Sequence, residues 1–483
     1  WCGATLLALV QFPLQMKSGQ IDGTLCLLTT ASLYGLSRHL LLGPDWRWYA
    51  AGGLFAGMGV ITKGVGFLPF LLLIPYAFAA RRDWPVTKLR FKDARWLLAP
   101  AALLVPIALW LVPMLIAAAG NPDVAAYRDN ILFHQTITRY ADSWGHIKPP
   151  WYLFTNAIPW LWLPASFLLP WLIPGWRRDL RARNPAILLY ASWVVLVLLF
   201  FSLSDGKRSL YIFPAAPAFA LIVGYHAEHL VRRAGVQRLL VAIPAMLGLG
   251  IVMASVDAVR NPHDLDAWIP DGLLVIKISA ALFVTGAAML VVVLLTRRRR
   301  ALVAYAGSML ALWLGISLLV APVIDGTRSG RDLIGLVQAA VGPGETLAFV
   351  AWPEQFLLQW PQPAYHFGLR RDPDADVQDA VRWLKQSPGR RALVPSTLLD
   401  RCFDPALSLF VGSAHRREWV LVSRDAVTER CVPVATGLET VVFYSPPGAM
   451  LPALARQSSP ANAVQARATV PAADAPTAED SYE

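Results

Sequence analysis

The sequence predicts an all-α membrane bundle with many spans, followed by a small α/β domain outside the cytoplasm. Of the 483 residues, 56% are hydrophobic and only 16% are charged, whereas soluble domains carry about a quarter charged residues. Apolar runs approaching the roughly 20 residues that a membrane helix needs recur from the start of the chain to residue 322. Beyond Asp325 they give way to short alternating segments that are typical of strands and amphipathic helices.

The apolar segments define the predicted membrane spans. Segments 47–62 and 64–80 are short and rich in glycine, so the boundary between them stays open. The chain begins at Trp1 inside an apolar run and no leader pattern can be read there, so we expect a first helix and a first external loop to precede it. The predicted spans are residues 1–16, 21–42, 47–62, 64–80, 96–119, 151–174, 186–204, 210–230, 238–256, 272–296 and 301–322.

Basic residues cluster in connectors at the ends of the apolar runs. The net charge of +11 is therefore a topology signal, because Lys and Arg mark cytoplasmic loops, and it does not indicate a nucleic-acid partner. If the connector 81–95 is cytoplasmic, counting crossings places the connectors 177–183, 232–238 and 297–300 there as well. The same count puts the polar loops, and everything after about Asp325, on the outer face.

A polar loop at residues 121–150 separates two apolar segments. Lipid cannot satisfy its polar groups, so the loop must lie outside the hydrocarbon core. Its basic side chains Arg139, His146 and Lys148 are suited to phosphate or sugar, although a lone histidine is more often structural. Aromatic residues such as Trp144 fit either an interfacial belt or contact with a sugar face.

Asp22 opens the helix of segment 21–42 at its outer end. In one interpretation its carboxylate caps the helix and interacts favourably with the helix dipole. In the other it organises an active site or a metal, because ionisable groups at membrane depth are functional candidates. The sequence leaves both interpretations open.

A turn of sequence SDGKRS and the residues after it bring Asp205, Lys207, Arg208 and Tyr211 to the mouth of two apolar helices. The two cations either extend to lipid headgroups or bind a lipid-linked phosphate together with the phenol. Their place on the outer face runs against the basic-inside bias, which favours the second interpretation. The sequence has no P-loop, dinucleotide-binding glycine signature, HExxH or GxSxG motif, so nucleotide-driven and protease chemistry have no support.

The C-terminal part is predicted to form its own domain. Residues 325–447 hold strand-like segments and amphipathic helices, whereas residues 1–324 form the membrane domain and residues 448–483 a disordered tail. The cysteines have no metal-binding spacing. Cys402 and Cys431 are able to form a disulfide if this domain lies outside the cytoplasm.

The chain carries, in a fixed order, the motifs IDGTLCLLTTASLYG, ITKGVGFLPFLL, NILFHQTITRYADSWGHIKPPWYLF and FFSLSDGKRSLYIFPAAPAFALI. Together they resemble the GT-C membrane glycosyltransferases. Within these they look most like bacterial relatives of the lipid A aminoarabinose transferase (ArnT-like proteins) and the protein O-mannosyltransferases. The resemblance covers about residues 15–360, and it is specific for the family rather than for the substrate.

The resemblance implies an inverting pentosyl- or hexosyltransferase of the bacterial inner membrane, with a periplasmic C-terminal domain. The donor is a sugar on a polyprenyl phosphate, and the acceptor is a lipid such as lipid A, a glycan or a protein. The family's main catalytic carboxylate lies in the first external loop, which precedes this sequence. Asp22 matches a second, supporting carboxylate and His146 matches a loop histidine. These two are also the candidate ligands of a divalent ion, which the reaction allows without requiring it, and no other cofactor is expected.

The resemblance also assigns the donor phosphate to a set of basic and phenolic side chains. Lys207 and Tyr211, with Pro214 after them, match the family pattern S-x-x-K-x-x-x-Y-x-x-P. Arg208 and Arg139 complete the expected phosphate site. Departures from the family at Gln20 and at the two residues before Lys207 leave the donor preference open.

Two other classes of function remain. The chain is alternatively a flippase or transporter of lipid-linked sugars, or an inactive homologue that serves assembly of the cell envelope. Transporters tend to show internal repeats and charges in mid-membrane, which this sequence lacks, and transport does not account for the outer domain. An acidic pair in the residues that precede this sequence would favour catalysis.

Overall fold

The computed structural model describes residues 1–89, 92–120, 122–129, 131–132, 147–262, 272–296, 300–368, 372–415, 417–429, 431 and 442–444. These residues divide into two compact units. The first comprises residues 1–246 and 289–310, and the second comprises residues 247–288 and those from 311 onward.

Helices dominate the described chain. They are α1 (Cys2–Ala8), α2 (Gln11–Lys17), α3 (Ile21–Leu42), α4 (Trp46–Lys63), α5 (Leu73–Arg81), α6 (Leu98–Gly120), α7 (Pro122–Asp129), α8 (Ile158–Leu161), α9 (Leu169–Arg181), α10 (Pro185–Leu203), α11 (Ala216–Gly224), α12 (Ala227–Val231), α13 (Ala234–Arg260), α14 (Gly272–Thr296), α15 (Ala301–Gly315), α16 (Ala321–Ser329), α17 (Arg331–Ala340), α18 (Gln355–Gln359), α19 (Pro373–Lys385) and α20 (Leu399–Cys402).

Among the described residues, six helices are long and apolar enough to span a membrane, or seven if one bent pair forms a single span. They are Ile21–Leu42, Ala94–Gly120, Pro185–Leu203, Ala234–Arg260, Gly272–Thr296 and Ala301–Ala340, and the bent pair is Leu153–Leu161 with Ala165–Arg181. The predicted multi-span helical membrane protein is therefore confirmed.

Several predicted spans are not continuous helices. Segment 1–16 breaks between α1 and α2, where Leu9 is extended. Segment 151–174 bends by 105° between its two halves, and Pro164 lies at this bend, where its ring removes a main-chain donor and disfavours a continuing helix. Segment 210–230 begins as a 3-10 helix, Ser209–Ala215, before α11. At each of these breaks the chain departs from a continuous α-helix.

Glycines let α3 and α4 pack closely as an antiparallel pair. A Cβ at Gly35 would lie 2.5 Å from the main-chain oxygen of Trp48, and one at Gly52 would lie 3.1 Å from the oxygen of Ser32. Small residues permit such close approach of membrane helices. Because the two helices run in opposite directions, the last residue of α4, Lys63, returns to the first turn of α3.

The second unit contains a six-stranded sheet in the order β4-β5-β3-β1-β2-β6. The strands are β1 (Thr346–Phe349), β2 (Ala364–His366), β3 (Arg390–Pro395), β4 (Leu409–Ala414), β5 (Arg417–Ser423) and β6 (Val442–Tyr444). Strands β1, β2 and β3 are parallel, whereas β5 pairs antiparallel with β3 and β6 pairs antiparallel with β2. The predicted small α/β domain is present.

Alternation along the strands builds a core on each face of this sheet. On one face Ala348 packs in a cluster with Val377 and Val381 of α19. On the other, Leu347 packs with Leu333 and Val337 of α17. A disulfide joins Cys402 to Cys431, whose Cα atoms are 5.0 Å apart, so the pairing that the sequence left open is made here.

Candidate functional site

Three chain segments of the first unit meet at the start of α3. The first turn of α3 carries Asp22, where the helix dipole favours a negative charge. Helix α4 ends at Lys63 because Gly64 follows with a φ of 68°, a conformation suited to a glycine at a helix end. The third segment is the 3-10 helix Ser209–Ala215, which contacts α3 through a hydrogen bond of 3.7 Å from Cys26 Sγ to the Phe213 oxygen.

An ion pair forms the centre of this meeting point. Lys63 Nζ donates to Asp22 Oδ1 at 2.6 Å. The Asp22 side chain is only 7% exposed and that of Lys63 is 29% exposed. A carboxylate so withdrawn from water needs a compensating charge and hydrogen bond, and Lys63 supplies both. Asp22 is therefore held in one place by a side chain that is itself still partly open to its surroundings.

The phenol ring of Tyr211 completes the cluster. Lys63 Nζ lies 5.7 Å from the centre of this ring, within the range of a cation–π interaction. The ring also packs against Phe201, with 5.0 Å between centroids. The predicted site residues Asp22 and Tyr211 are thus brought together through Lys63, which we call the Asp22–Lys63–Tyr211 cluster.

Lys63 is the site residue that reasoning from the sequence missed. Two signals pointed to it, since it ends a span on the same predicted face as Asp22 and it lies in the ITKGVGF motif. Its contact with Asp22 joins residues 41 positions apart. No local pattern predicts such a contact.

Lys207 lies in a different environment from the one expected for a phosphate ligand at the membrane surface. The residue is 2% exposed. Its ammonium group donates to the main-chain oxygen of Lys148 at 2.9 Å, to that of Asp205 at 3.5 Å and to that of Ser204. The cation is thus surrounded by main-chain carbonyl groups of two chain segments.

The other predicted phosphate ligands divide into described and undescribed residues. Arg208 precedes the 3-10 helix and is partly exposed, and among the described residues it has no carboxylate partner. Arg139 and His146 lie outside the described residues. The described parts of the chain contain no group of three or more His, Cys, Asp or Glu side chains that would hold a metal. Of the two predicted metal ligands, Asp22 and His146, only Asp22 lies in the described residues, and its carboxylate forms an ion pair with Lys63.

Comparisons with known proteins point to one group. The chain is 33% identical over 218 residues to the undecaprenyl phosphate-alpha-4-amino-4-deoxy-L-arabinose arabinosyl transferase of Serratia proteamaculans, covering 43% of this chain and 36% of that protein. It is 30% identical over 283 residues to the protein of the same name from Pseudomonas paraeruginosa, covering 56% of this chain and 46% of the relative. The chain thus spans less than half the length of these relatives. No family model matches it.

The fold agrees with these relatives. The crystal structure of ArnT from Cupriavidus metallidurans bound to undecaprenyl phosphate matches with a TM-score of 0.67 at 21% identity, over 89% of this chain and 79% of that chain. The apo form of the same protein matches with a TM-score of 0.62. The chain therefore has the fold of a membrane protein named ArnT, and its sequence is similar to proteins that carry the arabinosyl transferase name. The resemblance to ArnT-like proteins that the motifs predicted is thus confirmed.

Proposed function

We propose that this protein is an integral membrane glycosyltransferase that moves a sugar from a polyprenyl phosphate to an acceptor at the outer face of the inner membrane. The Asp22–Lys63–Tyr211 cluster carries the proposal. It sets a carboxylate, a cation and a phenol at the end of apolar helices, in a fold shared with an ArnT that was crystallised with undecaprenyl phosphate. The names of the relatives support an aminopentose on undecaprenyl phosphate as donor.

The proposed reaction is a single displacement at the anomeric carbon. An acceptor oxygen attacks that carbon while the bond from the carbon to the phosphate oxygen breaks, and the electron pair leaves on the lipid phosphate. The acceptor proton passes to a carboxylate base. One displacement inverts the anomeric centre, and the phosphate leaves without needing an acid.

The described residues act on the leaving group and on the supporting carboxylate. Negative charge grows on the lipid phosphate in the transition state, and a preorganised cation stabilises it there. We assign this role to the partly exposed Lys63 and Arg208, with the hydroxyl of Tyr211 as a neutral donor. Lys63 also fixes Asp22, which then orients the donor rather than moving a proton. Arg139, His146 and a divalent ion at Asp22 and His146 stay predictions.

We also propose that the α/β domain is periplasmic. The disulfide between Cys402 and Cys431 supports this placement, because such bonds persist outside the cytoplasm and are rare within it. The acceptor then approaches from the periplasm, and the sequence leaves open whether it is lipid A, another glycan or a protein.

The test uses purified full-length protein with polyprenyl-phosphate sugars and a set of acceptors. The expected product is free polyprenyl phosphate in amounts equal to the glycosylated acceptor. In Asp22→Asn we expect at least about a tenfold loss of product, because the donor is then less well oriented. Absence of release with every donor and acceptor would reject the transferase. Movement of intact donor across liposomes, without release, would instead support the transporter.

A further inference from the structure

The ammonium group of one buried lysine lies among main-chain oxygens. An ammonium group has three N–H donors and no acceptor. That of Lys207 meets three carbonyl oxygens, those of Ser204, Asp205 and Lys148. The contact with Asp205 is the longest of the three, at 3.5 Å, and together the three contacts direct the ammonium group toward the main chain of the protein itself. Because a buried charge is costly unless it is hydrogen-bonded, the three carbonyls are what permit Lys207 to be 2% exposed.

These carbonyls belong to two segments that are distant in sequence. Ser204 and Asp205 lie in the turn that carries Lys207, whereas Lys148 is 59 residues earlier, at the end of the polar loop 121–150. The ammonium group therefore joins the end of the loop to the turn. It does so with charge-assisted hydrogen bonds, which are stronger than neutral ones.

The main chain itself makes only a short β-bridge between the same two segments. Ile147 pairs antiparallel with Gly206 in an isolated bridge, and the Lys148 amide donates to the Asp205 oxygen at 3.2 Å. The next two residues, 149 and 150, are both proline. Proline has no N–H group, so the main chain cannot add further donors here. The side chain of Lys207 supplies the additional hydrogen bonds.

We infer that Lys207 is a positioning residue: it fastens the end of loop 121–150 to the turn 204–209 and does not bind the donor phosphate. Arg139 and His146 belong to that loop in the sequence, and the hydrogen bonds of Lys207 fix the chain at Lys148, two residues after His146. The catalytic consequence rests on the proposed function, whereas the fastening itself does not.

The fastening is tested by hydrogen exchange on the full-length protein in nanodiscs without donor. Lys207→Met keeps the length of the side chain but removes its donors. Lys207→Arg keeps the charge, yet its planar donors cannot converge on the three carbonyls. In both variants we expect the Lys148 amide to exchange at least about tenfold faster, because charged hydrogen bonds that hold the joint are lost. Lys88→Met, an exposed lysine in another connector, is the control and leaves the rate unchanged.

The effect of this link on catalysis is tested by replacing the hydrogen bonds of Lys207 with a disulfide between the same two segments. Ile147→Cys and Gly206→Cys place a disulfide across the bridge, in a background where Cys2 and Cys26 are alanine. If Lys207 positions the loop, Lys207→Met and Lys207→Arg both slow turnover by about 100-fold. The disulfide then restores turnover to Lys207→Met. Parent protein treated with the same reductant controls for the disulfide of the α/β domain.

The outcomes separate the inference from the proposed function. Unchanged exchange at Lys148 in Lys207→Met overturns the inference, whatever the protein catalyses. The inference is also overturned if Lys207→Arg has full activity, or if the oxidised disulfide does not restore turnover. In either case Lys207 acts through its charge at the phosphate. Faster exchange in a protein whose wild type transfers no sugar supports the fastening and rejects the transferase alone.

Discussion

The ion pair between Asp22 and Lys63 gives the sharpest prediction for stability. In Lys63→Met the Asp22 carboxylate, 7% exposed, loses its compensating charge while the shape of the side chain is largely kept. Removing one partner of a fully buried pair costs about 3–5 kcal/mol. Because Lys63 is itself 29% exposed, water screens part of this interaction, and we expect a loss of about 1–3 kcal/mol. Asp22→Asn in the same protein should remove most of that loss, since the unpaired charge is then gone.

A double-mutant cycle measures this coupling. Wild type, Lys63→Met, Asp22→Asn and the double variant are unfolded in mixed micelles and followed by tryptophan fluorescence, which the 19 tryptophans make sensitive. The same cycle on the exposed pair Lys88 and Asp83, whose side chains are 78% and 77% exposed, should show no coupling. If the effects at Asp22 and Lys63 add within about 0.5 kcal/mol, the two side chains do not stabilise each other and the cluster is not the preorganised unit described above.

Three further predictions concern the phenol, the disulfide and the α/β domain. Tyr211→Phe keeps the ring beside Lys63 but removes the hydroxyl, so we expect undecaprenyl phosphate to bind about tenfold more weakly; unchanged affinity in a binding titration would exclude the hydroxyl as a ligand. Cys402→Ser opens the disulfide and should lower the free energy of unfolding of the domain by about 2–4 kcal/mol, and an unchanged denaturation midpoint would contradict this. Burial lowers the pKa of His366 and of His415, so below about pH 6.5 the unfolded chain binds protons that the folded domain does not. The melting temperature of the domain should therefore fall as the pH decreases through about 6.5. Glutamine at both positions should make the melting temperature less dependent on pH.

The long apolar helices follow from the sequence because their cause is local. Segments 21–42, 96–119 and 186–204 are long enough to span the hydrocarbon core, and each is a helix within a few residues of those bounds. A run of apolar side chains in lipid has to satisfy its main chain internally, which only a helix does without a partner. Length and composition therefore decide both the type of element and its extent.

The broken segments show where local reasoning fails. In 151–174 and 210–230 the composition is as apolar as elsewhere, but the chain bends or begins as a 3-10 helix. Whether a proline kinks a membrane helix or ends it depends on which neighbouring groups satisfy the freed carbonyls, and those neighbours are distant in sequence. Strands β2 and β4 are difficult to predict from the sequence for a related reason. The three residues of β2 have too little sequence to show a period, and β4 contains a bulge between Phe410 and Gly412 that breaks its alternation.

The two lysines at this end of the bundle show what the structure adds to a motif. In the sequence Lys207 is predicted as a phosphate ligand, whereas Lys63, which also lies at the end of an apolar segment, is missed. Lys63 has one carboxylate partner and stays partly exposed, so its charge is balanced while its ammonium group still has donors to offer. Lys207 is enclosed by neutral carbonyls, so its ammonium group faces main-chain oxygens, and among the described residues no carboxylate balances its charge. A positive charge with neutral partners still attracts a phosphate at a distance, because its field is weakly screened where water is excluded. Lys207→Arg keeps this field and Lys207→Met removes it, so the similar losses of turnover expected in the two variants mean that the hydrogen bonds to the loop, and not the field, account for the effect. A much smaller loss in Lys207→Arg would show that the field of the charge is what turnover depends on.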